Sequence, residues 1–411
     1  MRRIVVTGLG TINPLGYSVD EFWTNLLAGR TACQKIKRFN PDNFKTQIAC
    51  ELDLQRLSDR LSSAEIKRAD LYTQFALYAS AEAIEDSGLE LASLDPYSVG
   101  VIWGTGQGGL TTIEEELKSY YKSDKQAHFH PLFIPKMLGS MAAGQVALKH
   151  QIKGVVYSNH AACASANAAL MDAALLIKAG KSDVMLVGAS DAPINEATIA
   201  GFNALRALST KNQDPAGASR PFDENRDGFV VAEGGACLVL EEYEHAKKRG
   251  AYIYAELVGS SVTNDAYHIT ANHPEGYSAK VAIENALKEA KVNAEEIDYI
   301  NPHATSTPVG DKAELHLLRA IWKNESPYIS ATKSMTGHHL GASGAIEAII
   351  CLKTISSQQI PATINLDKPM VNWPKNLNLI KGESLSTKVK YTLNNSFGFG
   401  GHNAISIFKS I

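Results

Sequence analysis

The sequence lacks the features that would assign it to several specialised classes of protein. No apolar run approaches the roughly 20 residues that a membrane-spanning helix needs, so we expect no membrane segment. The formal net charge of −3 argues against general nucleic-acid binding. The five cysteines are odd in number and widely spaced, which favours reduced thiols in the cytoplasm over a disulfide framework. The early glycines lack GxGxxG spacing, so no dinucleotide cofactor is expected.

What is present is the pattern of a soluble α/β protein. Hydrophobic residues make up 45% and charged residues 20% of 411 residues, an ordinary globular balance. The start, MRRIVVTGLG, is interpreted as a first strand and turn and not as a signal peptide. Helical stretches are predicted at Ala64–Asp86 and Ala279–Lys291. Buried-type strands are predicted at Ser98–Ile102, Asp183–Val187, Gly235–Leu240 and Tyr299–Ile300.

Two segments repeat the same order of elements. A strand at Val155–Tyr157 leads through a polar turn and small residues into a helix that ends near Lys178. A strand at Tyr328–Ser330 leads through GHHLGASGA into a helix from Ala345 to Ser357. The repetition predicts a duplicated unit with halves at 1–250 and 251–411, although chance in an alanine-rich α/β protein also explains it.

Cys163 is the candidate nucleophile. It lies between a strand and an alanine-rich helix that is predicted to begin at or just after it. A helix N-terminus favours the thiolate form of a cysteine, and the small neighbours leave room for a bulky thioester. A lone cysteine in such a helix is more often structural, and that is how we interpret the other four, Cys33, Cys50, Cys237 and Cys351.

Two histidines and a lysine could serve this nucleophile. His303 follows a strand in NPHATSTPVGD, and His338 lies in a Gly-rich turn five residues after Lys333. A histidine in such a place can hydrogen-bond an oxyanion or move a proton near neutral pH. A zinc site is the competing interpretation, but the usual short ligand pairs are absent from the set His160, Cys163, His303, His338 and His339.

Around these motifs the sequence resembles an elongating, type II β-ketoacyl-[acyl-carrier-protein] synthase, a condensing enzyme of the thiolase superfamily. The resemblance runs from VVTGLGTINPLG through SRPFDENRDGFVVAEGG to NNSFGFGGHNA and covers nearly the whole chain. It implies a duplicated five-layer α-β-α-β-α thiolase fold and a homodimer. It also implies that Cys163 carries an acyl group, which condenses with the carbanion left when malonyl-carrier protein loses carbon dioxide.

The resemblance gives further residues a role. Cys163, His303 and His338 match the family's catalytic cysteine and histidines, Lys333 the supporting lysine, and Phe399 the gate residue. Thr305 and Thr307 match positions that bind the phosphopantetheine arm, and Gln107 matches a position that lines the acyl pocket. No redox cofactor or catalytic metal is implied. A structural monovalent cation is an open alternative, and its candidate ligands are Asn301, Glu347 and Asn395.

The partners implied are an acidic acyl carrier protein and its acyl and malonyl thioesters. Docking to it is expected through a local basic face, for which Lys67, Arg68, Arg206 and Lys211 are candidates by position; a solvated charged face is the alternative. We expect no nucleic-acid or membrane partner, and a cytoplasmic location.

Departures from the family pattern leave the acyl group undecided. Ala304 replaces a usual glycine, and His160 and Ala161 lie where a small residue and a threonine are usual. Gln107 stands where an apolar residue or glycine is common, which suits an unsaturated or aromatic primer. A specialised polyene or polyketide synthase, which would be a heterodimer, is therefore the second hypothesis. A non-catalytic chain-length subunit would typically lack the cysteine, and a degradative thiolase would need a second active-site cysteine.

Overall fold

The computed structural model describes residues 2–126, 128–323, 327–371, 373–374 and 376–411. The strands are β1 (Ile4–Ile12), β2 (Gln34–Lys35), β3 (Ile48–Ala49), β4 (Val99–Gly104), β5 (Val156–Asn159), β6 (Val184–Asp191), β7 (Gly234–Glu242), β8 (Ala255–Asn264), β9 (Tyr299–Asn301), β10 (Tyr328–Ile329), β11 (Gln359–Ile360), β12 (Asn378–Leu379), β13 (Leu385–Ser386), β14 (Tyr391–Gly398) and β15 (His402–Lys409). The α-helices are α1 (Val19–Leu27), α2 (Ser63–Arg68), α3 (Leu71–Ser87), α4 (Leu110–Lys122), α5 (Phe133–Met137), α6 (Met141–His150), α7 (Ser165–Lys178), α8 (Glu196–Ala204), α9 (Tyr243–Lys248), α10 (Tyr277–Ala290), α11 (Pro308–Ile321), α12 (Lys333–Thr336) and α13 (Ser343–Ser357).

One mixed sheet of eleven strands organises the described residues. Its order is β12-β10-β9-β14-β15-β8-β1-β7-β6-β4-β5. Strands β1 and β8 join in the middle through the pairs Val5–Glu256 and Val6–Ala255. Strands that precede residue 250 lie on one side of this join and strands that follow it lie on the other. The division at 250/251 stays a prediction, because the halves share one continuous sheet.

Helices cover the sheet in the layers that the fold prediction requires. Helix α3 packs on β1, β6 and β7, and α10 packs on β8 and β15. Helices α7 and α13 contact each other and strands from both halves, so they form the central layer. The strands between these layers are buried along their whole length, as in β4, β6 and β14. The α/β thiolase fold predicted from the sequence is thereby confirmed.

The glycines near the start do not end the first strand, contrary to the predicted turn. Strand β1 continues through Gly8 and Gly10 to Ile12. A Cβ atom on Gly8 would lie 2.3 Å from the Ala83 carbonyl oxygen, and one on Gly10 would lie 2.1 Å from that of Ala79. Both carbonyls belong to α3. The glycines therefore serve close helix–sheet packing, which periodicity alone does not reveal.

The helices agree with the predictions except at one break. The predicted helix Ala64–Asp86 is two helices, α2 and α3, separated by Ala69 and Asp70. The Asp70 side chain accepts a hydrogen bond from the Tyr72 N–H and caps α3, which explains the break. Within the described residues, one helical segment, Leu340–Ser357, is apolar and long enough to cross a membrane. Most of it is buried inside the fold, as is usual for a core helix.

Candidate active site

Cys163 lies at the elbow between β5 and α7. It occupies the middle of a short 3₁₀ turn, Ala162–Ala164, and α7 begins at Ser165. The Ser165 hydroxyl oxygen accepts from the Ala161 N–H at 2.9 Å and donates to the Ala162 carbonyl at 2.7 Å. Ala162 adopts a φ of +49°, a left-handed conformation that disfavours bulky side chains. The small residues before Cys163 thus permit the tight turn that presents its sulfur.

His338 is the nearest ionisable side chain to that sulfur. Its Nε2 lies 3.1 Å from Cys163 Sγ, and its Nδ1 lies 2.9 Å from Ser343 Oγ at the start of α13. The His338 backbone N–H donates to the Val230 carbonyl at 2.8 Å, and its carbonyl accepts from the Ala232 N–H at 3.0 Å. The ring and the backbone are therefore both held in place. Burial, with the nearby positive charge of Lys333, keeps the pKa of His338 well below its usual value.

His303 completes the group from the end of β9. Its ring centroid lies 5.3 Å from that of His338, with the planes at 85°. Glu314 on α11 accepts from the backbone N–H groups of His303 at 2.8 Å and Ala304 at 2.6 Å. Burial and the Lys333 charge also lower the pKa of His303 well below its usual value. Both imidazoles are therefore neutral near pH 7.

Ala304 shows why glycine is usual after this histidine. Its φ is +29°, and its side chain is buried. A positive φ is unfavourable for a residue with a Cβ, so this chain accepts local backbone strain at the turn. The two bonds that Glu314 accepts hold the turn in that conformation.

Lys333 lies near the two histidines and forms an ion pair with Glu347. Both side chains are buried, and the ammonium donates directly to Glu347 Oε1. Burial raises the pKa of Glu347 to about 7, and Lys333 opposes that rise. The Ser219 hydroxyl donates to the Lys333 carbonyl at 2.6 Å. The arrangement fixes a positive charge beside two neutral imidazoles.

The thiol itself is less acidic than its place before a helix predicts. Burial raises the pKa of Cys163 to about 12, although the Lys333 charge opposes the rise. The dipole of α7 therefore does not keep the resting sulfur ionised. Desolvation of Cys163 outweighs the effect of the helix end, and its side chain rests as a neutral thiol.

A cavity of about 480 Å³ holds the reactive groups together. Cys163, His303 and His338 line its base, and Gln107, Thr305, Thr307 and Phe399 line its other walls. Thr305 Oγ1 and Thr307 Oγ1 lie 3.1 Å apart. Phe399 lies on the loop that follows β14, and its ring centroid is 6.3 Å from that of Phe202. Gln107 Oε1 accepts from Thr198 Oγ1 at 3.2 Å, so the wall at this point is polar.

The four candidate docking residues divide into two places. Arg206, at the end of α8, is exposed and lines the cavity. Lys211 lies on the following loop and donates to the Asn225 carbonyl at 2.8 Å. Lys67 and Arg68 end α2 and are exposed, but neither lines the cavity that contains Cys163. One chain therefore brings only part of the proposed basic face to the entrance.

The residues proposed for a monovalent cation carry unsatisfied oxygens. Asn301 Oδ1, Glu347 Oε2 and Asn395 Oδ1 are buried and have no hydrogen-bond partner. Buried acceptors without donors are unusual, and a small cation prefers such oxygen ligands. The zinc alternative receives no comparable support: among the residues described, no group of three or more His, Cys, Asp or Glu side chains could hold a metal ion.

Two residues that sequence reasoning missed organise the site. Glu314 holds the His303 turn, as described above. Asp191, buried at the end of β6, accepts from the Gly106 N–H at 2.9 Å, from the Gln107 N–H at 3.0 Å and from the Gly341 N–H at 2.7 Å. It thus links the loop that carries Gln107 to the turn after His338. An acidic residue that ends a buried strand was the available signal.

Comparison with known proteins gives the chain a consistent set of relatives. The family model described as Beta-ketoacyl synthase, N-terminal domain, matches residues 1–246, and the model for the C-terminal domain matches residues 254–367. The 3-oxoacyl-[acyl-carrier-protein] synthase 2 of Coxiella burnetii is 40% identical over 100% of this chain and 99% of its own length. The enzyme of the same name from Synechocystis sp. is 41% identical, covering 99% of this chain and 98% of its own.

Solved structures agree with these relatives. A type II polyketide synthase acyl-carrier protein has been solved in complex with its ketosynthase bound to the hexaketide. That structure matches with a TM-score of 0.91 and 34% sequence identity, over 100% of this chain and 99% of the matched chain.

The neutral resting thiol predicts a steep pH dependence for alkylation of Cys163. Below its pKa of about 12 the thiolate fraction rises with pH. The rate of modification by iodoacetamide should therefore rise about tenfold per pH unit between about pH 6 and pH 9. Peptide mass spectrometry would follow the Cys163 peptide, with Cys163→Ala as the background. A rate that levels off near neutral pH would contradict this account.

Proposed function

The chain belongs to the β-ketoacyl synthase family, and we propose that Cys163, His303 and His338 carry out its reaction. It is an acyltransferase that forms carbon–carbon bonds: it condenses an acyl group with malonyl-carrier protein in fatty-acid elongation. The observation that carries the residue assignment is the distance of 3.1 Å between Cys163 Sγ and His338 Nε2, with His303 beside them in one cavity.

The first half-reaction transfers the acyl group to Cys163. The sulfur attacks the thioester carbonyl of acyl-carrier protein, a new S–C bond forms, and the bond to the phosphopantetheine sulfur breaks. The proton that leaves the Cys163 thiol ends on the departing carrier thiol. Backbone N–H groups of Cys163 and Phe399 would stabilise the oxyanion. Gly398, the residue before Phe399, has no side chain, and this lets the two backbone segments approach each other closely. A Cβ on Gly398 would lie only 3.1 Å from the Cys163 nitrogen.

The second half-reaction uses the two neutral imidazoles. Malonyl-carrier protein enters with its pantetheine arm beside Thr305 and Thr307. His303 and His338 hydrogen-bond the thioester carbonyl, so that negative charge moves onto this oxygen as carbon dioxide leaves. The enolate-like carbon then attacks the acyl carbonyl on Cys163, the bond from that carbonyl to sulfur breaks, and the released thiolate takes up a proton from water. Neutral rings suit this role, because each carries one N–H to donate.

The reaction needs no redox cofactor, because decarboxylation generates the carbanion without net oxidation or reduction. We propose that any bound ion is a structural monovalent cation, which Asn301, Glu347 and Asn395 would hold. Its charge would satisfy their unpartnered oxygens. It would also steady the elements that carry Lys333 and His303.

The cation proposal predicts a stability that depends on ion identity. Replacing choline with potassium or sodium at equal ionic strength should raise the thermal unfolding midpoint by several degrees, about what 1–2 kcal/mol of binding provides. Asn395→Leu should remove that difference. Differential scanning calorimetry would measure both, and equal midpoints in every chloride salt would contradict the cation.

A specialised polyene or polyketide synthase remains the second candidate, because one observation favours it. The Gln107–Thr198 hydrogen bond makes the acyl pocket polar at a point where a long saturated chain would prefer apolar contacts. The structural similarity to a type II polyketide ketosynthase also supports this second candidate. The 3-oxoacyl-[acyl-carrier-protein] synthase 2 relatives favour fatty-acid elongation.

Substrate competition separates the two candidates. If the enzyme works in fatty-acid elongation, kcat/KM should be higher for carrier protein loaded with saturated acyl chains than for carrier protein loaded with polyunsaturated ones. The Gln107→Leu variant should then raise kcat/KM for long saturated chains about 3- to 10-fold. Thr198→Val is the matched control, because it removes the partner hydroxyl and leaves the glutamine. Higher kcat/KM for polyunsaturated chains in the wild-type enzyme would favour the specialised role.

The family uses carrier-protein thioesters, and we propose that Arg206 helps to bind the acidic carrier protein at the entrance to the cavity. Lys211 would add to the same face. Lys67 and Arg68 lie away from this cavity, and they would contact a carrier protein that is docked at the active site of the second copy in the homodimer. Long-range attraction between opposite charges speeds association and sets orientation.

Charge reversal tests this docking face. Arg206→Glu should raise the KM for carrier protein about 3- to 10-fold at low salt and leave kcat nearly unchanged, since the residue lies at the rim. Lys288→Glu on α10 is the matched control, because Lys288 is also exposed and does not line the cavity that contains Cys163. If Arg206→Glu and Lys288→Glu change the KM for carrier protein equally, Arg206 is a solvated surface charge and has no part in docking.

A homodimer and a cytoplasmic location complete the proposal. The edge strand β5 carries Tyr157 at 39% exposure, and Leu138 and Leu175 are exposed at 42% and 52%. Of these three, Tyr157 lies on the sheet edge, Leu138 follows α5 and Leu175 lies on α7. An unpaired edge strand and exposed apolar side chains favour association with a second copy. Light scattering at twice the chain mass would support the homodimer, whereas the mass of a single chain would exclude it. The unbridged cysteines favour a reducing compartment.

His303 provides the test of the condensation mechanism. His303→Ala should lower decarboxylation of malonyl-carrier protein about 100-fold or more, because the developing charge loses a donor. Loading of Cys163 with an acyl group should continue. Release of labelled carbon dioxide and intact-protein mass would measure the two steps separately. Unchanged decarboxylation would remove His303 from the mechanism.

A further inference from the structure

Cys33 and Cys50 lie opposite each other on two paired strands. Cys33 precedes β2 and Cys50 follows β3, which pair antiparallel in the register Gln34–Ala49 and Lys35–Ile48. The next pair in this register is Cys33–Cys50. Their sulfur atoms lie 3.0 Å apart. Facing residues on antiparallel strands have Cα separations within the range that disulfides span, so the bond needs little backbone movement.

The two thiols share an apolar pocket but differ in their environments. Cys33 keeps an exposed fraction of 7%, whereas Cys50 is fully buried. The pocket also contains Ile48, Ala218 and Val230. Contact with Cys50 lowers the pKa of the Cys33 thiol, whereas burial raises the pKa of Cys50. Because Cys33 retains exposed surface, it is the sulfur that a small oxidant reaches first, and Cys50 is placed to react with it.

The pair also contacts the chain segment that carries His338. A Cβ on Gly337, the residue before His338, would lie 2.7 Å from Cys50 Sγ. The Cys50 N–H donates to the Val231 carbonyl at 2.8 Å, and the residues on either side of Val231 bond the His338 backbone. On the other strand, the Ala32 N–H donates to the Met335 carbonyl at 3.0 Å. Movement of either sulfur thus reaches the backbone of residues 335–338.

We propose that Cys33 and Cys50 are a redox modification site, which a peroxide converts to a disulfide that slows the reaction at His338. The Cys33 sulfur attacks a peroxide oxygen, the O–O bond breaks, and a sulfenic acid and one water form. The Cys50 sulfur then displaces hydroxide from Cys33, which leaves as a second water with the Cys50 proton. Two thiols lose two electrons and two protons, and hydrogen peroxide is reduced to two waters. A dithiol reductant reverses the change.

The bond would change the packing behind the active site. The sulfurs would move from 3.0 Å to the roughly 2.05 Å of a disulfide, which would alter the packing of Cys50 Sγ against Gly337. A shift of this size in the support of a catalytic group can lower a rate severalfold or more.

Peptide mapping tests the site directly and does not depend on the enzyme's function. Cys163→Ala protein is treated with hydrogen peroxide, alkylated and digested without reduction. The expected product is a Cys33 peptide joined to a Cys50 peptide, which dithiothreitol separates. Cys237 and Cys351, buried and unbridged, are internal controls that should remain alkylatable after unfolding. Free Cys33 and Cys50 thiols, or Cys33 oxidised to a sulfinic acid without the link, would overturn the site.

Turnover tests the consequence, and this arm rests on the proposed function. Peroxide should lower condensation by wild-type enzyme about threefold or more, and dithiothreitol should restore it. Cys33→Ala and, separately, Cys50→Ala should lack the restorable part of the loss, while any loss that arises at Cys163 persists in both. A disulfide that forms without changing turnover would overturn the link to His338. Absence of condensation in the reduced enzyme would instead contradict the proposed function and leave the peptide map intact.

Discussion

The active site depends on the contact of two backbones, the end of β14 and the elbow that starts α7. Gly398 makes this contact possible, because a Cβ there would lie 2.6 Å from the Ala161 carbonyl oxygen. The elbow comes from the first half of the chain and β14 from the second. Their contact, with the pairing of α7 and α13 in the central layer, brings Cys163 to His338. The site therefore exists only in the assembled duplicated fold.

Burial then determines the chemistry of the groups that meet there. Desolvation raises the pKa of the Cys163 thiol and lowers the pKa of both imidazoles, so all three rest uncharged. The permanent charge nearby is the Lys333–Glu347 pair. Neutral donors in a buried site favour a reaction in which negative charge appears on a thioester oxygen. Apart from that ion pair, charge on the reacting groups develops during the reaction and is absent from the resting thiol and imidazoles.

Sequence patterns predicted the fold and the main site for different reasons. The predicted parts of β6 and β7 are apolar runs, and the end of α7 near Lys178 was predicted. Residues near Cys163 were recognisable because a family motif surrounds each of them. The thiol's pKa was not predictable, since it depends on burial by segments far away in the chain. Glu314 acts on backbone N–H groups, and the Cys33–Cys50 contact depends on strand register, so neither has a local sequence signal. Asp191 had one, its place at the end of a buried strand, but its partners lie on loops distant in the chain.

The central claim is that Cys163 carries the acyl group during the reaction. Intact-protein mass spectrometry after mixing with acyl-carrier protein, without malonyl-carrier protein, tests it most directly. The account predicts one acyl adduct on the wild-type chain, located on the Cys163 peptide, and none on Cys163→Ala, which should also fail to condense. An adduct on another residue, or normal condensation by Cys163→Ala, would contradict it.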